Sequence, residues 1–304
     1  MNGILISGGS GFVGSVLSSI SSDARYIIRN GQLNKFVDVF EIESFDAKTK
    51  WNGAFNGIRT IIHLAGIAHN KNVSVSDLDI VNNQGTLNFA NQAVQAGVKR
   101  FVFVSSIGVN GVGTYDKPFN IYDKASPHNP YAISKYKAEL GLKKLSVETG
   151  LEIVIVRAPL IYGPNAPGNF RALTSLINQF PFLPFGLTNN RRDFIAVQNL
   201  ADLLITCANH PDAAGHTFLA SDGETVSIKD FTNAIAKGLN KRLIQLPVPV
   251  CLMYLAARLV GKHAMAAQLL GNLQVDSSNA KEVLGWVPPY TMEQAMASLS
   301  ENKK

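Results

Sequence analysis

The residues best suited to chemistry are Tyr131 and Lys135, in the stretch YAISK. Four positions apart at the start of a helical pattern, the phenol and the ammonium share one helical face. A neighbouring cation favours the phenolate, so Tyr131 is expected to titrate well below the reference value of about 10. Such a phenol can exchange a proton with a substrate hydroxyl or carbonyl near neutral pH. The spacing alone is common, and a surface lysine beside a half-buried tyrosine gives the same pattern. A second hydroxyl adds weight. The apolar run RFVFVSS ends at Ser105–Ser106, and open α/β sheets bind ligands at the carboxyl ends of their strands. A serine there can bond the same substrate oxygen, or it can satisfy loop backbone.

A third feature is the stretch ILISGGSGFVGS, which runs from a strand pattern straight into a helix. Gly8 permits the tight turn, Gly11 allows backbone to approach a pyrophosphate, and Gly14 lets helix and strand pack closely. The helix start then offers free N–H groups and a positive dipole end to an anion. A structural turn is the bland reading, but the glycines stand at the first strand–helix junction, where a dinucleotide site requires them. No GxxxxGK[ST] run is present, which argues against a Walker-type ATPase.

The elements that must position these residues follow from pattern. ILIS (4–7), YIIR (26–29), TIIHLAG (60–66), RFVFVSS (100–106) and LEIVIVRAP (151–159) are apolar without alternation, as strands covered on both faces should be. Helical stretches 82–97 and 131–150 lie between them, each ending on glycine. The expected fold is α/β: a doubly wound parallel sheet of Rossmann type with a smaller, mostly helical C-terminal region. Residues 1–164 read as the dinucleotide-binding domain, with 194–220 returning to it. Residues 165–193 and 221–304 read as a substrate-binding region.

Composition narrows the function classes. The chain has 304 residues, 46% hydrophobic and 16% charged, with a net charge of +6. Lys and Arg are scattered, so a phosphate-bearing ligand fits better than nucleic acid. Cys207 and Cys251 have no partner motif and read as buried free thiols. His63 and His69 lie off the spacing of one helical face, so no metal is expected. The first residues lack a basic leader and enter a strand directly, and no apolar run reaches about 18 residues. The nearest, 243–260, is broken by Pro247, Pro249 and Arg258. A soluble cytoplasmic protein without membrane insertion is expected.

Taken together, SGGSGFVG, HLAG (63–66), VNNQGT (81–86), VSSIGVNG (104–111), YAISK, RAPLIYGP (157–164) and RRDFIAVQNLAD (191–202) resemble the extended short-chain dehydrogenase/reductases, in their nucleotide-sugar branch. The resemblance covers nearly the whole chain. It implies Ser106, Tyr131 and Lys135 as the catalytic set, with Lys135 also binding the nicotinamide ribose and lowering the Tyr131 pKa. It implies a cofactor held by Gly8, Ser10, Gly11, Phe12, Val13, Arg29, Asn30, Glu41, Ile42, Leu64, Ala65, Gly66 and Pro159, together with Tyr131 and Lys135. It gives Asn82 a supporting role. On the substrate side it implies a UDP-sugar, with Ser106 at the sugar and Asn169 and Arg192 at the diphosphate; an ion pair with Asp193 is the alternative for Arg192. Ala196 and Asn199 depart from the branch, which usually carries His and Asp there. The texture is similar to bacterial proteins that make surface-polysaccharide (O-antigen) sugars, and such proteins form homodimers through the YxxxK helix and its predecessor.

Arg29 bears on which reaction is run. It lies 21 positions after Gly8, where an acidic residue would bond the ribose 2′-hydroxyl of NAD. A carboxylate there repels a 2′-phosphate; Arg29 reverses the sign. NADP(H) is therefore favoured, with NAD(H) possible if Arg29 faces solvent. Glu41 and Ile42 are expected after the next strand, near the adenine. Because reductive steps draw on NADPH, the expectation is reduction of a C4 keto group on a UDP-linked, N-acetylated, 6-deoxy hexose. The alternative is an NAD-dependent UDP-sugar 4-epimerase, and a non-catalytic NADP-binding regulator is the remote one. SSIGVNG lacks the acidic pair of a 4,6-dehydratase.

Overall fold

A computed structural model describes residues 3–32, 34–67 and 73–301; His69 lies outside them. In chain order the elements are β1 (Ile4–Ser7), α1 (Phe12–Ile20), β2 (Arg25–Arg29), β3 (Asp38–Ile42), β4 (Thr60–His63), α2 (Val75–Asp79), α3 (Thr86–Gln95), β5 (Arg100–Ser106), α4 (Pro130–Thr149), β6 (Glu152–Ala158) and β7 (Leu160–Tyr162). They continue with α5 (Gly168–Gln179), β8 (Phe182–Leu183), β9 (Phe194–Ala196), α6 (Val197–Asn209), β10 (Thr217–Leu219), α7 (Ile228–Gly238), β11 (Ile244–Gln245), α8 (Val250–Leu259), α9 (His263–Leu270), α10 (Ser278–Leu284) and α11 (Met292–Glu301). Seven strands form a parallel sheet in the order β10-β6-β5-β4-β1-β2-β3. The order reverses beside β1, which opens a crevice at the strands' carboxyl ends.

The continuous apolar strands are explained by what covers them. On β5, Phe101 and Phe103 pack with Phe89 of α3 and Leu142 of α4, while Val102 packs with Leu17 of α1 and Leu204 of α6. Successive side chains thus enter different cores, and neither face needs polar residues. A further core joins Tyr162, Phe170, Phe194, Phe231, Ile235 and Met296, drawn from β7, α5, β9, α7 and α11.

Helix ends follow local chemistry. Asn129 caps α4 by accepting from the Ala132 amide at 2.8 Å, Pro130 fills its first turn, and Gly150 ends it at φ +75°. The helix expected from Asn82 begins differently. A π turn spans Ile80–Gly85 before α3 starts at Thr86. Within it the Asn82 side chain is buried and bonds the backbone of Ile67 through both of its ends, at 2.8 and 3.0 Å.

Two sequence expectations need correction. Glu41 and Ile42 are the last two residues of β3, not residues beyond it. Cys207 is buried, but Cys251 is exposed on α8, whose packed face it does not share.

Candidate active site

The glycine loop has the shape its composition requires. Gly8 sits at φ +75°, and the Gly11 amide donates to the Gly8 carbonyl at 3.0 Å. A Cβ on Gly14 would lie 2.4 Å from the Gly8 oxygen and 2.6 Å from Gly9 Cα, so α1 can approach the turn only without one. Gly11, the residue before α1, makes no side-chain cap, which leaves the first amides of the helix free for an anion.

A cleft of about 500 Å³ opens in front of this loop. Gly8, Ser10, Gly11, Arg29, Ile42, Leu64, Ala65 and Gly66 line it. Phe12 instead packs into the α5–α7 core and Val13 under the sheet. Pro159 is buried between β6 and β7, while Asn30 and Glu41 are exposed outside the cleft lining. The cleft also draws on residues that sequence reasoning missed: Gln32 beyond β2, Glu43–Asp46 beyond β3, and Ile67, Ile80 and Val81. Gln32 Oε1 accepts from the Arg29 amide at 3.0 Å and from Ser10 Oγ at 3.4 Å, tying the end of β2 to the glycine loop. The turn residues Asn30 and Gly31 were the available signal for this fold-back. The positive-φ turn, the Cβ-free contact and the free amides fit the pyrophosphate of a dinucleotide, which the loop could hold; Arg29 and Gln32 line the same cleft.

Beneath the cleft His63 is fully buried. Its Nδ1 lies 2.5 Å from Ser7 Oγ and its Nε2 2.9 Å from Thr86 Oγ1. Burial first, and then the Lys135 charge, hold its pKa well below the usual histidine range. A neutral imidazole here pins the ends of β1 and β4 to α3.

At the end of β5 the two serines part. Ser105 is buried and donates to Glu139 Oε1 at 2.5 Å, and Glu139 also accepts from Arg157 Nη2 at 2.6 Å. Ser106, on the opposite face, is half-buried, with Oγ accepting from the Gly108 amide at 3.1 Å. Strand alternation thus turns Ser105 into the buried Glu139–Arg157 network and Ser106 to the other face.

Tyr131 is half-buried on the first turn of α4, and Lys135 is buried one turn on. Lys135 Nζ donates to the Val104 carbonyl at 3.1 Å and lies 4.7 Å from the centre of the Phe103 ring. A Cβ on Gly66 would stand 3.3 Å from that ammonium and 2.8 Å from Asn82 Oδ1, so glycine keeps the cleft floor open to both. Burial pulls the Lys135 pKa down to about 8, with Glu139 opposing the shift. Burial also pushes the Tyr131 phenol up to about 12. The expectation of a depressed Tyr131 is therefore not met: loss of hydration outweighs the cation, whose hydrogen bond goes to Val104.

The two residues expected at the substrate diphosphate, Asn169 and Arg192, lie on other elements. Asn169 is exposed on the first turn of α5. Arg192 donates to the Gly271 carbonyl at 2.8 Å and lies 6.0 Å from the Phe194 ring. Burial lowers its pKa to about 10, opposed by Asp193. Asp193 itself accepts from Thr225 Oγ1 and the Val275 amide, each at 2.5 Å. The departure at Asn199 now has a cause. The Ala196 amide and Asn199 Nδ2 both donate to the buried Asp222 carboxylate, which also accepts from the Tyr162 hydroxyl at 2.7 Å. An acid already occupies the centre of this knot, so position 199 must donate.

Comparison with known proteins agrees with this geometry. The chain is 38% identical to the UDP-glucose 4-epimerase of Vibrio cholerae, over 98% of this chain and 94% of that one. It is 26% identical to the N-acetyl-alpha-D-glucosaminyl-diphospho-ditrans,octacis-undecaprenol 4-epimerase of Escherichia coli O157:H7, over 96% and 92%. The crystal structure of UDP-N-acetylglucosamine 4-epimerase from Bacillus cereus superposes with a TM-score of 0.80 at 20% identity, covering 99% of each chain. The NAD dependent epimerase/dehydratase family matches residues 4–221, a span that runs from the first strand of the glycine cradle through Ser106, Tyr131 and Lys135 to the end of the central sheet, and the chain belongs to that family.

Proposed function

We propose that the protein inverts the C4 hydroxyl of a UDP-linked hexose, N-acetylated in its preferred form, in the supply of sugars for surface polysaccharide. The observation that carries this reading is 38% identity to a UDP-glucose 4-epimerase along nearly the whole chain, with Ser106 ending β5 and Lys135 of α4 bonded to the Val104 carbonyl of that same strand. It reverses the order reached from Arg29 alone, where reduction came first.

A nicotinamide bound in the cleft supplies reversible hydride exchange at the sugar carbon. The residues of the chain manage the proton and the pose. Tyr131 exchanges the proton of the C4 oxygen; because burial alone holds its phenol up at about 12, it accepts that proton only when positive charge beside it favours the phenolate. Ser106 hydrogen-bonds that oxygen, and Lys135 supplies positive charge behind the phenol. Asn169 and Arg192 hold the diphosphate, so binding energy remote from C4 orients the sugar. Two copies associate through α3 and α4; the exposed Ile133, Leu140 and Val147, seven apart on α4, support that contact.

The second reading, NADPH-dependent reduction of a 4-keto sugar, is favoured by Arg29 on the cleft wall. Incubation with UDP-glucose, UDP-N-acetylglucosamine and UDP-4-keto sugars, with NAD⁺ or NADPH and product analysis by NMR, separates the two. Epimer formation without net cofactor consumption is expected. Turnover of 4-keto sugars alone, with one NADPH oxidised per product, would reverse the assignment.

A further inference from the structure

Helix α8 carries two apolar stripes. Val250, Met253, Tyr254 and Ala257 pack against the α5–α7 core. Leu252, Leu255, Ala256 and Leu259 repeat the same i, i+3, i+4, i+7 spacing two residues on, which turns them to the opposite side of the helix. That second stripe faces outward: Leu252 is 53%, Leu255 54% and Leu259 80% exposed, and Val260 beyond it is 67% exposed. Solvated helix faces are normally polar, so an outward leucine stripe marks a surface that meets something apolar. The strand pair leading into α8 adds Ile244 and its register partner Phe182, both exposed.

Charge says what that is. From Phe231 to Val275 the chain has five basic residues, Lys237, Lys241, Arg242, Arg258 and Lys262, and no Asp or Glu. Lys237 is paired with Glu293. Lys241, Arg242, Arg258 and Lys262 are exposed, and none of them is in an ion pair among the described residues. A second copy meeting this face through a twofold axis would bring like charges together. An anionic bilayer neutralises them while its acyl region receives the leucines. No described helix is long and apolar enough to cross a membrane, and a ten-residue helix with one buried and one exposed apolar face suits lying in the interface.

We propose that α8, with the turn into α9, docks the protein peripherally on anionic phospholipid. The docked face adjoins the substrate side: the Arg192 guanidinium donates to the Gly271 carbonyl, directly after α9.

Flotation of the full chain with phosphatidylcholine vesicles, with and without about 30% phosphatidylglycerol, tests this without any turnover, so the outcome stands apart from the sugar reaction. Binding to anionic vesicles at least about tenfold tighter than to neutral ones, weakened by salt, is expected. Leu255→Glu with Leu259→Glu should lower it about tenfold, as should Arg258→Glu with Lys262→Glu, both with unchanged melting temperature. Absence of binding, equal binding to neutral vesicles, or binding that neither variant alters overturns the proposal. So does a leucine variant that dissociates an oligomer while the parent ignores lipid, because a second copy is then the occupant.

Discussion

The ammonium of Lys135 donates to the carbonyl of Val104 at 3.1 Å, and both groups lie beneath the floor of the cleft. This burial pulls the Lys135 pKa from 10.5 to about 8. The unfolded chain holds the proton more tightly, so stability rises with pH between about 8 and 10.5 and is lost as pH falls through 8. Chemical denaturation across that window should show a gain of about 3 kcal/mol that is missing in Lys135→Met. Identical slopes for the two proteins would show that the ammonium is hydrated.

Tyr131→Phe keeps the ring and removes the proton carrier. Turnover of UDP-hexose should fall about 10²- to 10⁴-fold, while nucleotide binding by calorimetry stays near that of the parent. Retained turnover would move the proton transfer elsewhere.

Arg29 lines the cleft, and its amide is tied to Gln32. Arg29→Asp should shift the ratio of NADPH to NADH affinity toward NADH by about tenfold, close to the value of one exposed charge-assisted phosphate contact. Fluorescence titration with both cofactors reads this directly, and an unchanged ratio removes Arg29 from the site.

Asn199→Asp would place two carboxylates where an amide now donates to Asp222 Oδ1 at 2.6 Å. One of the two must then hold a proton, and its folded pKa rises above the unfolded value. The stability of the variant is thus present at low pH and lost as pH rises. At pH 7 it should be about 3 kcal/mol less stable than the parent, recovering as pH falls. Melting scans against pH decide; a loss independent of pH would point to packing instead.

The two cradle glycines should fail differently. Gly14→Ala meets backbone atoms at 2.4 and 2.6 Å and should cost about 2 kcal/mol of stability. At Gly11 the nearest atom to a Cβ is the Gly8 oxygen at 3.2 Å, and φ is −78°. Gly11→Ala should fold within about 1 kcal/mol of the parent yet bind dinucleotide at least about tenfold more weakly. Equal loss of stability in both would mean that the loop is rigid throughout.

The central strands were legible because they are apolar without alternation, as two-sided burial requires; the edge strand β3, DVFEI, alternates instead. The glycine loop and Ser106 could be placed because each adjoins an apolar strand, and Tyr131 and Lys135 because four-residue spacing puts them one turn apart on α4. Glu43–Asp46 and Gln32 were not. They reach the cleft from irregular backbone after β2 and the edge strand β3, where no periodicity marks which side chain turns inward. The charge state of Tyr131 was misjudged for a related reason. Helical spacing shows that Lys135 is near, but it does not show that Val104 takes its hydrogen bond or how much water the fold removes. Asn199 looked like a departure from a family pattern, and only Asp222, 23 positions later, supplies its meaning.

The π turn at Ile80–Gly85 has a consequence for how this site tolerates change in chain length. A helix advances about 100° per residue, so removing one residue from the wide turn would rotate α3 by that angle against the sheet. Thr86 would leave His63, and Asn82 would release Ile67 and Ser134. The turn therefore sets the angular phase between a packing helix and the cleft floor. A one-residue deletion there should act like several simultaneous point mutations, whereas the same deletion in the exposed turn at 95–97 would leave that phase untouched.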